Sequence, residues 1–168
     1  MSGSLSGDPA PARQAPPIPR RRSGLLVAVA AAVLALDQLT KLWAVKALAD
    51  GPKALVGGIR LNLTHNTAGA FGLGGAAVPF LALGALALVV AMAVTGATRR
   101  PALAAAVGLV LGGAVGNLAD RVFRDPGLLR GAVVDFVDLR FWPVFNLADA
   151  AITCGCILLL VLGWKAEE

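Results

Sequence analysis

The chain has 168 residues, of which 57% are hydrophobic and 15% are charged, and its mean hydropathy is +0.75. In soluble domains about a quarter of the residues are charged, so this composition argues against a soluble protein and predicts an integral membrane protein. The net charge of +5 comes with few aromatic residues, no tyrosine and one histidine. Because the basic residues cluster at the ends of apolar segments, we interpret them as topology signals and exclude nucleic acid as a partner.

The N-terminal part of the chain predicts a tail followed by a membrane anchor. Residues 1–23 are rich in Pro, Ser and Arg and lack apolar periodicity, so a disordered cytoplasmic tail is predicted. Residues 24–49 are mostly apolar and long enough to span a bilayer. A cleavable signal peptide is the alternative, because Ala47-Leu48-Ala49 resembles a cleavage site. The length of this segment, and the acid and two lysines within it, favour a first transmembrane helix.

The segment that follows predicts a small β element outside the membrane. Ile59, Leu61 and Leu63 alternate with polar residues, which is the period of a half-buried strand. The next stretch, residues 66–75, contains four glycines and predicts a tight loop.

Three further apolar segments predict helices at about 76–98, 102–120 and 146–164. We therefore expect an all-α membrane protein with four transmembrane helices and a small extracytoplasmic β element. Residues 24–168 would form a single membrane-embedded domain. The helix at 102–120 has glycines at four-residue spacing, which predicts close approach by another helix. These glycines are Gly108, Gly112 and Gly116.

The basic residues predict that both termini are cytoplasmic. On the side of the termini they abut the helix ends, as the positive-inside rule expects. The two long segments on the other side also contain basic residues, so a raw count does not decide the orientation. Those residues are spread out and accompanied by most of the acids, which favours placing the long segments at the outer face.

Two aspartates, Asp135 and Asp149, lie among apolar residues within 131–150. An ionisable group in or beside a membrane is a functional-site hypothesis, because its desolvation must be offset by a partner, by water or by a shared proton. Two carboxylates that share one proton can hydrolyse a peptide bond. The alternatives are structural: Asp149 would complete a capping box with Asn146, and Asp135 would be an exposed loop acid.

Five sequence motifs, taken in order along the chain, resemble the lipoprotein signal peptidase (signal peptidase II) family. The motifs are DQLTK at Asp37–Lys41, NTAGAFG at Asn66–Gly72, GGAVGNLADR at Gly112–Arg121, VVDF at Val133–Phe136 and FNLAD at Phe145–Asp149. The resemblance implies an aspartic endopeptidase of the bacterial cell membrane with its active site near the outer face. Asp135 and Asp149 would be its catalytic dyad.

The same resemblance implies supporting roles for several other residues. Asp37 and Lys41 would steady the site, although mutual neutralisation of this i,i+4 pair is a sufficient alternative. For Asp120, a local ion pair with Arg121 or Arg124 is a sufficient alternative explanation. Asp138 matches no catalytic position and is interpreted as a solvated loop acid. The remaining residues implied to line or support the site are Asn66, Asn117, Arg121 and Asn146.

The resemblance also defines the expected substrate. It is a prolipoprotein whose cysteine carries diacylglycerol, cut just before that cysteine in contact with membrane lipid. No cofactor or metal is expected, because one histidine and no Cys/His cluster leave no zinc ligand set. The chain is expected to be a monomer, and Cys154 and Cys156 to be buried thiols.

A carrier or channel is the alternative function from another class. Four aspartates would then form a proton relay. The sequence disfavours this alternative, because these acids fall near one membrane face rather than through the depth of the membrane. The four residues are Asp37, Asp120, Asp135 and Asp149.

Overall fold

The computed structural model describes residues 23–67, 100–127 and 129–164. The described helices are α1 (Ser23–Ala47), α2 (Pro101–Phe123) and α3 (Leu147–Trp164). The described strands are β1 (Lys53–Ala54), β2 (Arg60–Asn66) and β3 (Val133–Asp138). The helix predicted at 76–98 and nearly all of the tail predicted at 1–23 lie outside the described residues.

The helical part is organised around α2, which packs against both α1 and α3. An added Cβ would lie 2.6 Å from the carbonyl oxygen of Ala30 at Gly112, and 2.5 Å from that of Ala148 at Gly113. Both distances are shorter than a real Cβ contact, so only glycine permits these backbones to pack so closely. The close helix approach predicted from the glycine spacing is confirmed.

The helices present apolar side chains outwards. Leu39 on α1 is 62% exposed and Leu160 on α3 is 74% exposed, whereas Asp37 and Lys41 are fully buried. In the described part of the chain, α1 and α2 are long and apolar enough to cross a membrane, and α3 contains a shorter apolar stretch. A surface of leucine around a charged interior suits lipid rather than water.

A three-stranded antiparallel sheet, in the order β1-β2-β3, covers one end of α1. Ala44 and Leu48 pack against Phe136 of β3, with Leu61 and Leu63 of β2 beside them. This cluster joins the sheet to the helices and fixes the height of β3 relative to α1. The predicted β element is therefore confirmed.

The structure excludes the alternative interpretation of Asp135 and contradicts the expectation for the two cysteines. Asp135 does not lie in an exposed loop: it pairs with Thr64 within β3 and is 2% exposed. The VVDFVD run of β3 has no polar and apolar alternation because both of its faces are largely covered. Cys154 and Cys156 are exposed on α3 rather than buried, since the outer face of this helix is apolar and accepts thiols as readily as leucines.

Candidate active site

The two aspartates of the predicted dyad lie on different elements. Asp135 is in the middle of β3, and Asp149 is partly buried in the first turn of α3. Between them, the backbone of Phe145 bonds to Phe136 and Val137 of β3. The chain therefore returns to β3 immediately before α3 begins, and this brings both aspartates to one site.

Asn146 connects the two aspartates. Its Oδ1 accepts a hydrogen bond from the Asp149 backbone N–H at 3.0 Å, and Asp149 Oδ2 accepts one from the Asn146 backbone N–H at 3.3 Å. This reciprocal pair is a capping box, so the capping geometry predicted from the spacing of Asn146 and Asp149 is confirmed. The Nδ2 group of Asn146 donates to Asp135 Oδ1 at 2.6 Å and to Asn117 Oδ1 at 3.1 Å. The cap residue therefore faces both carboxylates.

Asn117, on α2, holds Asp149 from the other side. Its Nδ2 donates to Asp149 Oδ1 at 2.8 Å. Its Oδ1 accepts from Lys41 Nζ at 2.9 Å as well as from Asn146. Every polar atom of the Asn117 side chain is thus used within the site, and its amide links α1, α2 and α3.

Lys41 is fully buried and has three acceptors for its three N–H donors. Its Nζ lies 2.8 Å from Asp37 Oδ2, 2.8 Å from Asp120 Oδ2 and 2.9 Å from Asn117 Oδ1. The i,i+4 pair that the sequence suggested is therefore confirmed. Asp37 Oδ1 also accepts from the backbone N–H of Ala148 at 3.0 Å, so α1 caps the N-terminus of α3.

Asp120 and Arg121 attach the start of β3 to the end of α2. Asp120 accepts from Arg124 Nε at 2.7 Å, which confirms the local pair expected from the sequence, and from the backbone N–H of Val134 at 3.2 Å. Arg121 donates to the carbonyl oxygen of Gly131 at 3.2 Å. These bonds fix the strand that carries the buried aspartate.

The surroundings of Asp135 make its carboxyl hard to ionise. Asn66 Nδ2 on β2 donates to Asp135 Oδ2 at 3.2 Å, and Asn146 occupies the other oxygen. Burial, and after it the negative charge of Asp149, raises the pKa of Asp135 to about 6, against the lowering effect of the two amide hydrogen bonds. A raised pKa from burial and a neighbouring carboxylate is the electrostatic pattern of an acid–base pair.

Gln38 is a contact residue of this network that the sequence analysis overlooked. Its Nε2 donates to the Gly116 carbonyl oxygen at 3.1 Å, and lies 3.2 Å from Asp37 Oδ2 and 3.3 Å from Asp120 Oδ1. The sequence signal for Gln38 is a polar amide within an apolar helix, directly after Asp37.

Asp138 was expected to be a solvated loop acid, and this is wrong. It ends β3, is 4% exposed and forms an ion pair with Arg60 of β2. The hydrogen bond from Arg60, followed by one from the Arg140 backbone N–H, lowers the pKa of Asp138. Asp138 thus stabilises the sheet, and its polar partners among the described residues are Arg60, Asn62 and Arg140 rather than the dyad.

The described ranges contain no group of three or more His, Cys, Asp or Glu side chains able to hold a metal ion. Two further buried carboxylates, Asp37 and Asp120, both pair with Lys41. Asp135 and Asp149, each held by an asparagine amide, offer acid–base chemistry by two carboxyl groups.

Two solved bacterial membrane enzymes have a similar fold. One, determined by the in meso method, matches with a TM-score of 0.76 and 26% identity, covering 89% of this chain and 93% of that protein. The other matches with a TM-score of 0.71 and 26% identity, covering 86% and 96% respectively. The apolar outer surface and the buried polar network define the class of protein as a membrane protein, with a fold similar to that of bacterial membrane enzymes.

The sequence comparisons identify the family. The model of the family described as signal peptidase (SPase) II matches residues 29–165. A lipoprotein signal peptidase of Rhodococcus jostii is 47% identical over 160 residues, covering 92% of this chain and 81% of the relative. One from Mycobacterium avium is also 47% identical, over 149 residues, covering 86% and 81%. The chain therefore belongs to the signal peptidase II family.

Proposed function

We propose that this protein is a membrane aspartic endopeptidase that removes the signal peptide from prolipoproteins. Its substrate carries a diacylglyceryl group on cysteine, and the cut falls just before that cysteine. Asp135 and Asp149 are the catalytic pair. The proposal rests on the family relationship and on one observation: two carboxyl groups from β3 and α3 are joined through a single asparagine amide and its cap.

The hydrogen bonding around the dyad favours one shared proton. In the described part of the chain, no lysine or arginine forms an ion pair with either carboxylate. Asparagine amides hold both groups without neutralising them. Ionising the second carboxyl beside the first is therefore costly, and the pair titrates as a unit.

Peptide hydrolysis then follows from the two protonation states. The ionised carboxylate removes a proton from a water molecule, and the water oxygen attacks the scissile carbonyl carbon. The protonated carboxyl donates its proton to the carbonyl oxygen, giving an uncharged tetrahedral diol. Collapse of this diol breaks the C–N bond: the carboxyl that took the proton from water donates it to the leaving nitrogen, and the other carboxylate removes a proton from a diol hydroxyl. The dyad then again holds one proton, in its starting arrangement.

The membrane setting accounts for the lipidated substrate. The outward leucines of α1 and α3 suit acyl chains, so the diacylglyceryl group can remain in lipid while the peptide reaches the dyad. We further propose one embedded domain of residues 24–168, with four membrane helices and both termini cytoplasmic. The site then lies near the outer face, where the chain works as a monomer.

The contacts of the acids weaken the alternative of a proton-coupled carrier. Asp37 and Asp120 share Lys41, and this lysine reaches Asp149 through Asn117. The acids thus form one connected cluster rather than a series through the depth of the bilayer. A relay needs proton-accepting groups spaced along a path.

A cleavage assay tests the proposal. Purified protein in detergent is incubated with a diacylglyceryl-modified prolipoprotein, and loss of the signal peptide is followed by gel shift. Asp135→Asn and Asp149→Asn keep the side-chain shape and are expected to lower the rate by about 10³-fold or more. Asp50→Asn, an exposed acid outside the network, is the matched control and should cleave at the wild-type rate.

Folding of each variant is checked by thermal unfolding in the same detergent. If a folded Asp135→Asn or Asp149→Asn protein retained cleavage within about tenfold of wild type, the assigned dyad would be wrong. If well-folded wild type failed to cut the lipidated substrate, the peptidase proposal itself would fail.

A further inference from the structure

We propose that Lys41 is a positioning residue for Asp149, acting along two separate paths that start at its ammonium group. One path runs through the side-chain amide of Asn117, and the other through Asp37 to the N-terminus of α3. The inference rests on the proposed function, since it concerns one member of the dyad. Lys41 itself contacts neither aspartate of the dyad by a hydrogen bond or ion pair.

The first path fixes the direction of an amide. An asparagine side chain can point either its oxygen or its NH₂ group at a neighbour, and the two ends differ little in shape. An ammonium group can only donate, so Lys41 requires the oxygen of Asn117 at 2.9 Å. The NH₂ group then faces Asp149 at 2.8 Å. A reversed amide would place two oxygens against each other.

The second path fixes the backbone under Asp149. Lys41 holds Asp37 Oδ2 at 2.8 Å, and Asp37 Oδ1 receives the backbone N–H of Ala148, the residue before Asp149. Gly116 leaves room for this carboxylate, because an added Cβ there would lie 2.6 Å from Asp37 Oδ2. Asp37 therefore occupies a fixed place between α2 and α3, and Lys41 determines its orientation.

The charge of Lys41 also reaches the site. The titratable groups that interact with Lys41 are Asp37 on α1, Asp120 on α2, Asp149 on α3 and Asp135 on β3, and Arg121 on α2 interacts with Asp135 and Asp120. The positive charge of Lys41 lowers the pKa of Asp135. Removing that charge should raise this pKa, so the ionised carboxylate would be lost at a higher pH. The acid limb of the pH–rate profile for cleavage should therefore shift to higher pH.

Substituting Lys41 alone would leave Asp37 without its cation, whereas Asp120 would keep Arg124, and this loss of one buried positive charge could unfold the protein. The informative variant is therefore Lys41→Met combined with Asp120→Asn, which keeps the net charge of the cluster. Its reference is Asp120→Asn alone, in which Lys41 keeps Asp37 and Asn117. We expect kcat to fall about 10- to 100-fold relative to this reference, the range found when residues that orient metal-binding side chains are replaced. KM should change little, and the acid limb should shift upwards.

Asn117→Leu, made in both backgrounds, tests the path through the amide. If Lys41 acts through Asn117, Asn117→Leu should lower activity much less in the Lys41→Met, Asp120→Asn protein than in the Asp120→Asn protein. The effects of two coupled residues are not additive. Independent, multiplicative losses would overturn this path. The whole inference would be overturned if the acid limb did not shift and activity fell only in proportion to the amount of folded protein. Lys41 would then be a structural residue only. Cleavage by wild type, together with loss of cleavage in folded Asp135→Asn, shows that the proposed dyad holds, so that these outcomes report on Lys41 alone.

Discussion

Asn146 donates a 2.6 Å hydrogen bond to Asp135 with the same side chain whose oxygen caps the helix that carries Asp149. Helix termination and site assembly therefore depend on one residue. The cap fixes the Asn146 oxygen on the backbone, which leaves its NH₂ group directed at β3. A feature that looked like an alternative to function in the sequence is part of the geometry of the site.

Substitution of Asn146 should separate these two roles. Asn146→Ser keeps a good cap but has no amide to reach Asp135, so we expect near wild-type stability and strongly reduced cleavage. Asn146→Ala removes both the helix cap and the amide, so in addition to reduced cleavage it should lose ~1 kcal/mol of stability. Thermal unfolding and cleavage, measured on the same samples, give the comparison. Normal cleavage by a folded Asn146→Ser protein would show that the amide is dispensable.

The stability of the protein should depend on pH through Asp135. Its pKa is raised to about 6, so the folded state favours the protonated form, and this contribution is present at low pH and lost as pH rises from about 4 to about 6. Asp135→Asn cannot ionise. Wild type should therefore lose stability relative to this variant across that interval, on the order of 1–3 kcal/mol. If the difference in stability between wild type and Asp135→Asn were the same at pH 4 and pH 7, the raised pKa of Asp135 would be contradicted.

Two glycines of α2 should respond differently to an added methyl group. Gly108→Ala places a Cβ 2.8 Å from the Leu26 carbonyl oxygen, and Gly116→Ala places one 2.6 Å from Asp37 Oδ2. Both should lose about 1–3 kcal/mol of stability through overpacking. Only Gly116→Ala should also slow cleavage of the folded fraction, because it displaces Asp37.

Gly24→Ala is the control for this pair, since an added Cβ there meets nothing within 4 Å. Its stability and cleavage should match wild type. Equal cleavage per folded molecule in Gly108→Ala and Gly116→Ala would mean that the position of Asp37 is unimportant for the reaction.

The ion pair of Asp138 and Arg60 should matter for the sheet and not for the reaction. Because Arg60 lowers the pKa of Asp138, the stabilisation is present above the unfolded pKa of about 4 and is lost as pH falls. Asp138→Asn should therefore melt below wild type at pH 7, with a smaller difference at pH 3.5. Its folded fraction should cleave at the wild-type rate, and a rate as low as that of Asp135→Asn would assign Asp138 to the site instead.

The sequence determined a great deal about this protein because several of its signals are local. Composition and apolar segment length predicted α1, α2 and α3 to within a few residues of their observed ends. Glycine spacing predicted the close contacts of α2, and the Asn146 and Asp149 spacing predicted a capping box that is present. Each of these depends on backbone periodicity or on residues a few positions apart.

Only the tertiary structure decided which polar groups meet. Asp135 lies in a strand covered on both faces, Asp138 is an ion-paired residue of the sheet, and Gln38 belongs to the buried network. Lys41 binds Asn117, 76 positions away, and Asp37 binds Ala148, 111 positions away. The strength of a buried hydrogen bond or charge depends on distance and desolvation, and neither is encoded by residue spacing along the chain. The sequence therefore named the acids and amides, and the packing of α1, α2, α3 and β3 decided which of them act on one another.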